Sequence, residues 1–211
     1  HIEVLCTDKT GTLTEGLMSV SSVRASDRDA ALALALAVAS EEDLRNTDAS
    51  PKTFDAAVVN AAGKDAAHAA LSRRRRWFVP FDPDRRRASA VIDDGRGCTL
   101  VVFGAPEEVL ARSTSWLRAG GEEALTPLSV MAEKAAIREE GLAGRRVLAL
   151  ARKRVAADAA YDDDAERSLT YVGTISFVDP LKTTAKDAVA SAAALNVRVK
   201  IVTGDSPEVA G

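Results

Sequence analysis

Short apolar runs that stop abruptly at polar residues lie near both ends of the chain. IEVLCT, residues 2–7, and the run within NVRVKIVTGD, residues 196–205, are rich in β-branched residues, a composition typical of buried parallel strands. TTAKDAVASAAALN, residues 183–196, begins with Thr, has an Ala-rich interior and ends at Asn, which predicts a helix. Strand, helix and strand in this order predict an α/β unit with a parallel sheet. Ligands bind at the carboxyl ends of strands in such sheets, so both polar turns are candidate sites.

The middle of the chain has a different pattern, in which short strands follow one another closely. Turns that contain Gly, such as DDGRG at 93–97, favour antiparallel pairing of the flanking strands. We therefore predict an α+β domain on an antiparallel sheet, residues 19–178, inserted into an α/β domain that comprises residues 1–18 and 179–211. Asp179-Pro180, where the chain returns, is interpreted as a hinge, and YDDDAE at 161–166 as a solvated acidic loop. The predicted strands are 77–80, 87–93, 98–103, 145–155 and 170–178, and the predicted helices are 27–40, 50–71 (Ser50 as N-cap, Pro51 in the first turn), 106–116 and 127–141.

Composition and charge narrow the class of protein. Of the 211 residues 46% are apolar and 28% are charged, which is typical of a folded globular chain. The net charge of −3 gives no general case for nucleic acid, although RRRR at 73–76 and RRR at 85–87 invite that interpretation. The longest apolar stretch, 30–39, has about half the length that spans a bilayer, so we expect no membrane insertion of this chain. Cys6 and Cys98 provide no disulfide framework, which favours a reducing compartment.

The string DKTGTLT, residues 8–14, directly follows the first apolar run. A carboxylate can attack a γ-phosphorus only if it is held in line and its charge repulsion is offset. Lys9 supplies positive charge, Thr10 supplies a hydroxyl, and Gly11 lets backbone amides approach phosphate oxygens. A Mg²⁺ ion between Asp8 and the phosphate would neutralise more charge. The string therefore indicates a phosphoryl-accepting aspartate.

DKTGTLT resembles the phosphorylation signature of P-type ATPases, ion pumps built on a haloacid-dehalogenase-like core. The TGD at 203–205, which comprises Thr203, Gly204 and Asp205, matches a second signature of that family. The resemblance implies that Asp8 becomes an aspartyl phosphate, and that Thr10 helps to hold Mg²⁺ through its carbonyl and the phosphate through its hydroxyl. Soluble phosphatases of the wider superfamily place an acid–base Asp where this chain has Thr10. The phosphoenzyme should therefore hydrolyse slowly, which suits a pump.

The inserted domain resembles the nucleotide-binding domain of the same family. In VPFDPDRRRASAV, 79–91, the resemblance implies that Phe81 stacks on adenine and that Arg86 approaches the phosphates of ATP. In FDAAVV, 54–59, it implies that Asp55 accepts a hydrogen bond from the adenine amino group. In GRRVLALA, 144–151, Arg146 is expected to reach the β-phosphate or ribose, with Arg145 as the adjacent alternative because only one of them can face the site.

Two further strings complete the expected nucleotide site. VVFGAPEEVL, 101–110, resembles a family motif in which a Lys precedes Gly-Ala-Pro-Glu and lines the adenine pocket, and this chain has Phe103 there. Gly104 and Ala105 still allow close approach of the backbone, whereas Phe103 either stacks on the nucleotide or fills the pocket. Asp179, in FVDPLK, resembles the hinge residue near the ribose. We expect domain closure about hinges near 16–20 and at Asp179-Pro180.

Several strings look most like the bacterial magnesium-transporting branch, with the proton- and calcium-pumping branches as competitors. The resemblance implies a full-length pump whose transmembrane and actuator domains lie outside this chain, with this part at the cytoplasmic face of the membrane. The chain stops before the GDGxND-type motif, so we expect it to bind ATP weakly without turning it over. The alternatives are a stand-alone nucleotide-binding regulatory module and a soluble phosphatase of the haloacid-dehalogenase type.

Overall fold

A computed structural model describes residues 2–93, 95, 97–158 and 161–202, and two sheets are present in this part of the chain. The larger has eight strands and a mainly antiparallel arrangement; its single parallel pair joins β6 to β9. The smaller pairs β1 with β10 in parallel. The strands are β1 Val4–Asp8, β2 Ser19–Ala25, β3 Arg75–Asp82, β4 Arg87–Asp93, β5 Cys98–Gly104, β6 Ser113–Arg118, β7 Gly121–Ala124, β8 Arg146–Val155, β9 Leu169–Val178 and β10 Arg198–Val202.

Seven α-helices accompany these strands in the described residues. They are α1 Arg28–Ala35, α2 Glu41–Arg45, α3 Phe54–Ala62, α4 Lys64–Ser72, α5 Pro106–Ala111, α6 Pro127–Leu142 and α7 Ala185–Ala194. The side chain of Asp27 caps α1 by accepting a hydrogen bond from the amide of Ala30 at 3.0 Å. None of these helices is both long and apolar enough to cross a lipid bilayer.

Two helix predictions were wrong in their extent. The segment predicted as one helix over 50–71 forms α3 and α4, because Gly63 between them has a φ of 88° that a helix cannot contain. Its N-cap is Thr53, whose hydroxyl accepts from the amide of Ala56 at 2.9 Å, rather than Ser50. The helix predicted over 106–116 ends at Ala111, and the chain enters β6, where Trp116 is buried against Tyr171. Strands β2, β6 and β7 were not predicted.

The eight-stranded sheet brings several loops to one end of its strands. Its order is β3-β4-β5-β8-β9-β6-β7, with β2 also paired to β9. Arg87 pairs with Gly104, Gly104 pairs with Ala149, and Arg146 pairs with Phe177. The ends of β3, β5 and β9 and the starts of β2, β4 and β8 therefore lie together. We call this the junction end, since both connections to the smaller sheet leave from it, and the opposite end the far end.

The core of the larger sheet is divided between its two faces. The apolar cluster between one face and α1–α4 includes Leu32, Leu44, Val58 and Phe103. The cluster on the other face includes Leu100, Val109 and Trp116. All seven residues of β5 are buried, which explains why the apolar run at 98–103 is continuous rather than alternating. Helices on one face and a second apolar layer on the other give this sheet a core of its own.

The smaller sheet confirms the predicted parallel pairing, with Val4 opposite Arg198 and Asp8 opposite Val202. The expected burial of β1 was wrong: Leu5 is 47% exposed, and only Val4 and Thr7 in this strand are partly buried. In the described residues this sheet has two strands, with α7 on the crossover between them, so little apolar surface is available to cover it.

The segment 161–166 is only in part the solvated acidic loop that was predicted: Asp162, Asp163 and Asp164 are exposed, whereas the last residue is not. Glu166 is fully buried, and its carboxylate accepts hydrogen bonds from Arg85, Arg87 and Ser89. The arginines at 85–87 lie far from this loop in the sequence, so its burial depends on tertiary contacts that the local composition does not reveal.

Candidate functional site

Asp8 lies at the carboxyl end of β1, at the start of a tight loop. The loop over Lys9–Leu13 closes through a hydrogen bond from the amide of Thr14 to the carbonyl of Lys9 at 3.1 Å. Gly11 in this loop has a φ of 75°, which other residues rarely adopt. The Asp8 carboxylate is exposed and accepts from the amide of Lys9 at 2.7 Å. The strand thus presents a solvent-accessible carboxylate whose orientation its neighbour's backbone holds.

Thr14 and Asp179 fasten this loop to the junction end. Thr14 is 1% exposed, and its hydroxyl lies 3.0 Å from the amide of Gly11 and 2.6 Å from the carboxylate of Asp179. The other oxygen of Asp179 accepts from the amides of Gly16 and Leu17 at 2.9 and 3.2 Å. The carboxylate predicted to lie near a ribose is therefore engaged by three donors of the first connection between the two sheets.

Lys182 and the backbone of the second connection complete this junction. The ammonium of Lys182 donates to the carbonyl of Gly11 at 2.8 Å, and its amide donates to the carbonyl of Leu13 at 2.9 Å. The amide of Glu15 donates to the carbonyl of Pro180 at 2.8 Å. Sequence reasoning missed both Thr14 and Lys182. Thr14 belongs to the quoted DKTGTLT string, whereas Lys182 carries no signal of its own beyond lying just after the hinge.

Lys9, Thr10, Arg146 and Asp179 line one small cavity, of about 30 Å³. A cavity of that size can hold a water molecule but is too small for a nucleotide. Desolvation, and then the positive charge of Arg146, lower the pKa of Lys9, while Asp179 opposes them. Arg145, the alternative to Arg146, instead donates to the carboxylate of Glu140 at 2.9 Å. The structure thus places Arg146, rather than Arg145, beside the loop that carries Asp8.

Phe81 and Arg86 flank the turn between β3 and β4. Phe81 is 59% exposed, so its ring is accessible from solvent. The carboxylate of Asp82 accepts from the amides of Asp84 and Arg85, both at 2.8 Å, which holds the turn. Arg86 has a φ of 54°, and its guanidinium lies 2.5 Å from the carboxylate of Glu107, in an ion pair whose two side chains are about half exposed.

Gly104 and Ala105 lie directly against that turn. A Cβ atom on Gly104 would sit 2.4 Å from the carbonyl oxygen of Arg86, so only glycine fits there. The amide of Ala105 donates to the same carbonyl at 2.9 Å. Phe103, which precedes them, is 5% exposed and belongs to the core on the α1–α4 face. Of the two roles considered for Phe103, the structure therefore has it filling space in the core.

Asp55 lies in the first turn of α3 and is half-buried rather than a solvated helix charge. Its carboxylate accepts from the amide of Ser40 at 2.9 Å. Burial raises the pKa of Asp55 most strongly, the Ser40 amide opposes this, and the nearby charge of Asp43 adds to it. Phe54, the preceding residue, packs edge-to-face on Phe177 at 4.9 Å, which brings the start of α3 close to the end of β9.

The structure thus brings most predicted nucleotide-binding residues to one end of the sheet. The shared strand register groups Phe81, Arg86, Phe103, Gly104, Ala105, Arg146 and Asp179 at the junction end. Asp55 lies on the face covered by α1–α4. The second predicted signature, Thr203, Gly204 and Asp205, lies outside the described residues.

The residues predicted to hold Mg²⁺ offer suitable donor types. Asp8 contributes carboxylate oxygens and Thr10 a backbone carbonyl, and hard oxygen donors of this kind, in small number, are what Mg²⁺ uses beside phosphate and water. Within 2–93, 95, 97–158 and 161–202 no group of three or more His, Cys, Asp or Glu side chains is arranged to hold a metal ion. The donors present therefore fit an ion that is shared with a phosphate better than an ion held by protein alone.

The chain has a helix-covered antiparallel sheet whose connections at one end lead to an exposed aspartate. This architecture is consistent with the cytoplasmic nucleotide-binding domain of a P-type ATPase. The model of the family described as "P-type ATPase, cytoplasmic domain N" matches residues 28–184. The chain belongs to this family.

Relatives with curated names lie in several branches. The chain is 33% identical, over 99% of its length, to "Magnesium-transporting ATPase, P-type 1" of Salmonella typhimurium, of which it covers 23%. It is 30% identical to the "Plasma membrane ATPase" of Kluyveromyces lactis and 25% identical to "Calcium-transporting ATPase 1" of Bacillus cereus, with 99% of the chain aligned each time and 22% and 25% of those proteins covered. The chain thus spans about a quarter of the length of the relatives it matches.

Proposed function

We propose that this chain is the nucleotide-binding and phosphorylation region of an ATP-driven cation pump, in which Asp8 accepts the γ-phosphate of ATP. The observation that carries the proposal is the junction end, where the turn with Phe81 and Arg86, the Gly104 contact and Arg146 lie at the same end of the sheet. Arg146 there lines a small cavity together with Lys9 and Thr10, which follow Asp8. In this proposal residues 1–18 and 179–211 belong to a haloacid-dehalogenase-like phosphorylation domain, and residues 19–178 form the inserted nucleotide-binding domain.

Each residue has a distinct part in the proposed reaction. The exposed ring of Phe81 stacks on adenine, Asp55 accepts from its amino group, and Arg86 and Arg146 meet the phosphates. A carboxylate oxygen of Asp8 attacks the γ-phosphorus, a new P–O bond forms, and the bond to the bridging oxygen of ADP breaks, so that ADP leaves with that electron pair. Mg²⁺ held by Asp8 and the Thr10 carbonyl would offset charge on the phosphate oxygens.

One feature of the Asp8 loop favours a long-lived phosphoenzyme over rapid hydrolysis. Thr10 stands two residues after Asp8, where an acid–base carboxylate would be needed to activate water. A slowly hydrolysed aspartyl phosphate suits coupling to ion movement, which supports a pump rather than a soluble phosphatase.

The cation that we propose for the full-length pump is Mg²⁺. Of the three relatives described above, the one that is 33% identical to this chain is named as a magnesium transporter. In this proposal the transmembrane and actuator segments are provided by the rest of the full-length protein, and this region works at the cytoplasmic face of the membrane. The partner of the region described here is ATP, and we propose no nucleic-acid partner.

The test is a titration of the chain with Mg-ATP and with AMP, followed by NMR amide shifts or calorimetry. We expect ATP to bind with a Kd near the millimolar range and to bind more tightly than AMP. Arg146→Ala should weaken ATP binding by about tenfold and AMP binding much less, because its guanidinium is proposed to meet the phosphates added beyond AMP.

Arg145→Ala is the matched control, since Arg145 pairs with Glu140 beside the same strand. Its Kd for ATP should stay within about twofold of the unchanged chain. A chain that binds neither nucleotide, or one whose affinity depends on Arg145 and not on Arg146, would contradict the proposed site.

A further inference from the structure

Three consecutive arginines in the turn between β3 and β4 have different environments. The side chains of Arg85 and Arg87 are 23% and 2% exposed, whereas that of Arg86 is 52% exposed. The left-handed backbone at Arg86, with a φ of 54°, turns its side chain away from the other two. Non-glycine residues adopt this conformation when surrounding contacts stabilise it, so its cause lies in what holds the flanking arginines.

Glu166 holds both of them. Its carboxylate accepts from Nε of Arg87 at 2.5 Å, from a terminal nitrogen of Arg85 and from the hydroxyl of Ser89. Asp163 in the same loop also accepts from Arg87 and lies 3.6 Å from Arg112. Glu166 has no exposed surface, so its charge-assisted bond with Arg87 forms out of contact with water, whereas Asp163 is 56% exposed.

The loop that carries Glu166 reaches the junction end from the far end of the sheet. It begins after Val155, which pairs with Cys98 at the far end, and among its described residues Glu166 contacts Arg85 and Arg87. Lys153 tethers its course by donating to the carbonyls of Ala165 and Arg167 at 3.3 and 2.9 Å. The buried carboxylate therefore lies beneath the start of β4, although the loop joins β8 to β9.

The opposite side of the turn is fastened as well. The amide of Arg86 donates to the carbonyl of Asp82 at 2.6 Å, and the carbonyl of Arg86 accepts from Ala105 at 2.9 Å. The turn is therefore fixed by Glu166 on one side and by Gly104 and Ala105 on the other. In this conformation Arg86 is directed outward and Phe81 is exposed.

We propose that Glu166 is a positioning residue for nucleotide binding: it anchors Arg85 and Arg87 and thereby sets the turn that presents Arg86 and Phe81. The inference rests on the proposed function as far as the nucleotide is concerned. The anchoring of the turn itself is a property of the chain without nucleotide, so the two parts can be measured separately.

The experiment compares Glu166→Gln and Arg85→Met with Arg76→Met. Glu166→Gln keeps the size of the side chain but removes its charge and one acceptor. Arg85→Met removes one donor from a partly exposed site. If Glu166→Gln fails to fold, Arg85→Met still tests the inference. Arg76 forms a 2.8 Å ion pair with Asp93 on the same two strands at the far end, which makes it a matched control.

The first readout is amide hydrogen exchange in the absence of nucleotide. Both test variants should speed exchange at Arg86 and Ala105 about tenfold relative to Val101 in the middle of β5, and Arg76→Met should not. Unchanged exchange at Arg86 and Ala105 in both test variants would overturn the inference, whether or not the chain binds ATP.

The second readout is the Kd for Mg-ATP, measured with and without Arg86→Ala. Glu166→Gln should weaken binding about tenfold in the unchanged background and by a smaller factor, about threefold, beside Arg86→Ala, because only Phe81 is then left for the turn to present. Equal losses in both backgrounds would show a general structural effect and overturn the inference. If the unchanged chain binds no ATP, the proposed function fails and the exchange readout alone decides the anchoring.

Discussion

The two sheets of this chain are stabilised in different ways. The eight-stranded sheet buries apolar residues on both faces, whereas the two-stranded sheet has Leu5 at 47% and Val202 at 63% exposure. The larger sheet thus has a core that stabilises it independently. The smaller sheet is joined to it by polar contacts of Thr14, Asp179 and Lys182.

The candidate site is divided between the two sheets. Gly104 and the turn before Arg87 belong to the larger sheet, while Asp8 lies on the smaller one. In the described part of the chain, the smaller sheet has few buried apolar contacts and should therefore open at a lower energy cost. The contrast predicts that the two sheets respond separately to substitution.

Gly104→Ala should have the largest effect, and it should act on the larger sheet. The added Cβ would lie 2.4 Å from a backbone oxygen and 2.5 Å from the Cα of Arg87, so the strands or the turn must move apart. We expect a loss of about 3 kcal/mol in the free energy of unfolding, measured by urea denaturation.

Gly120→Ala is the control for that measurement. Gly120 lies in the turn before β7, and an added Cβ would meet nothing within 4 Å. Its unfolding free energy should change by less than about 0.5 kcal/mol. Similar losses for the two variants would contradict the proposed close approach at Gly104.

Asp179→Ala should have a smaller effect and a local one. It removes the acceptor for Thr14, Gly16 and Leu17, so the connection to the smaller sheet loses about 2 kcal/mol of local stability. Hydrogen exchange at the amides of Gly16 and Leu17 should then accelerate roughly 30-fold. Exchange in the middle of β5 should not change. Equal acceleration in both sheets would refute the separation drawn above.

Asp55→Asn should have the smallest effect, and it should be stabilising. Burial raises the pKa of Asp55, so the folded chain loses stability as the pH rises through that pKa. Asn can still accept from the Ser40 amide without carrying charge. We expect a gain on the order of 1 kcal/mol at pH 7, and none below about pH 3, where the carboxyl is protonated in both folded and unfolded chains.

Binding of ATP to Asp55→Asn sharpens the same comparison. If the Asp55 carboxylate accepts a hydrogen bond from the adenine amino group, Asp55→Asn should weaken the binding of ATP and of AMP by the same factor. A variant that is neither more stable at pH 7 nor weaker in binding would show that Asp55 has neither role.

The local sequence pattern was sufficient to predict some helices and strands and insufficient to predict others. β4, β5 and α6 were predicted to within about two residues, because short apolar-rich segments next to a Gly-containing turn and a Pro at a helix start can be identified without reference to the rest of the chain. The division of 50–71 at Gly63 was missed, since an isolated glycine is often tolerated inside a helix. β2 was missed because SVSSVRA is weakly apolar and is completed only by its pairing with β9.

The candidate site divides in the same way. Asp8 was predicted from the chemistry of its neighbouring residues, and Phe81, Arg86 and Arg146 were predicted because the strings around them resemble those of a known family. Glu166 and the engagement of Asp179 by Thr14 were not, since their partners lie 79 and 165 residues away in the chain. The one sign available was the run of three arginines at 85–87, two of which must find buried acceptors once a turn forms there.

By itself the sequence determined the family, through strings that resemble the motifs of that family, and it proposed residues for the chemistry, because such strings consist of adjacent positions. Only the tertiary structure decided that Phe103 fills the core, that Arg146 rather than Arg145 lies beside Lys9, and that a loop from the far end of the sheet supplies Glu166. Those outcomes depend on strand register and on buried charges finding partners, and both are settled only when distant segments pack together.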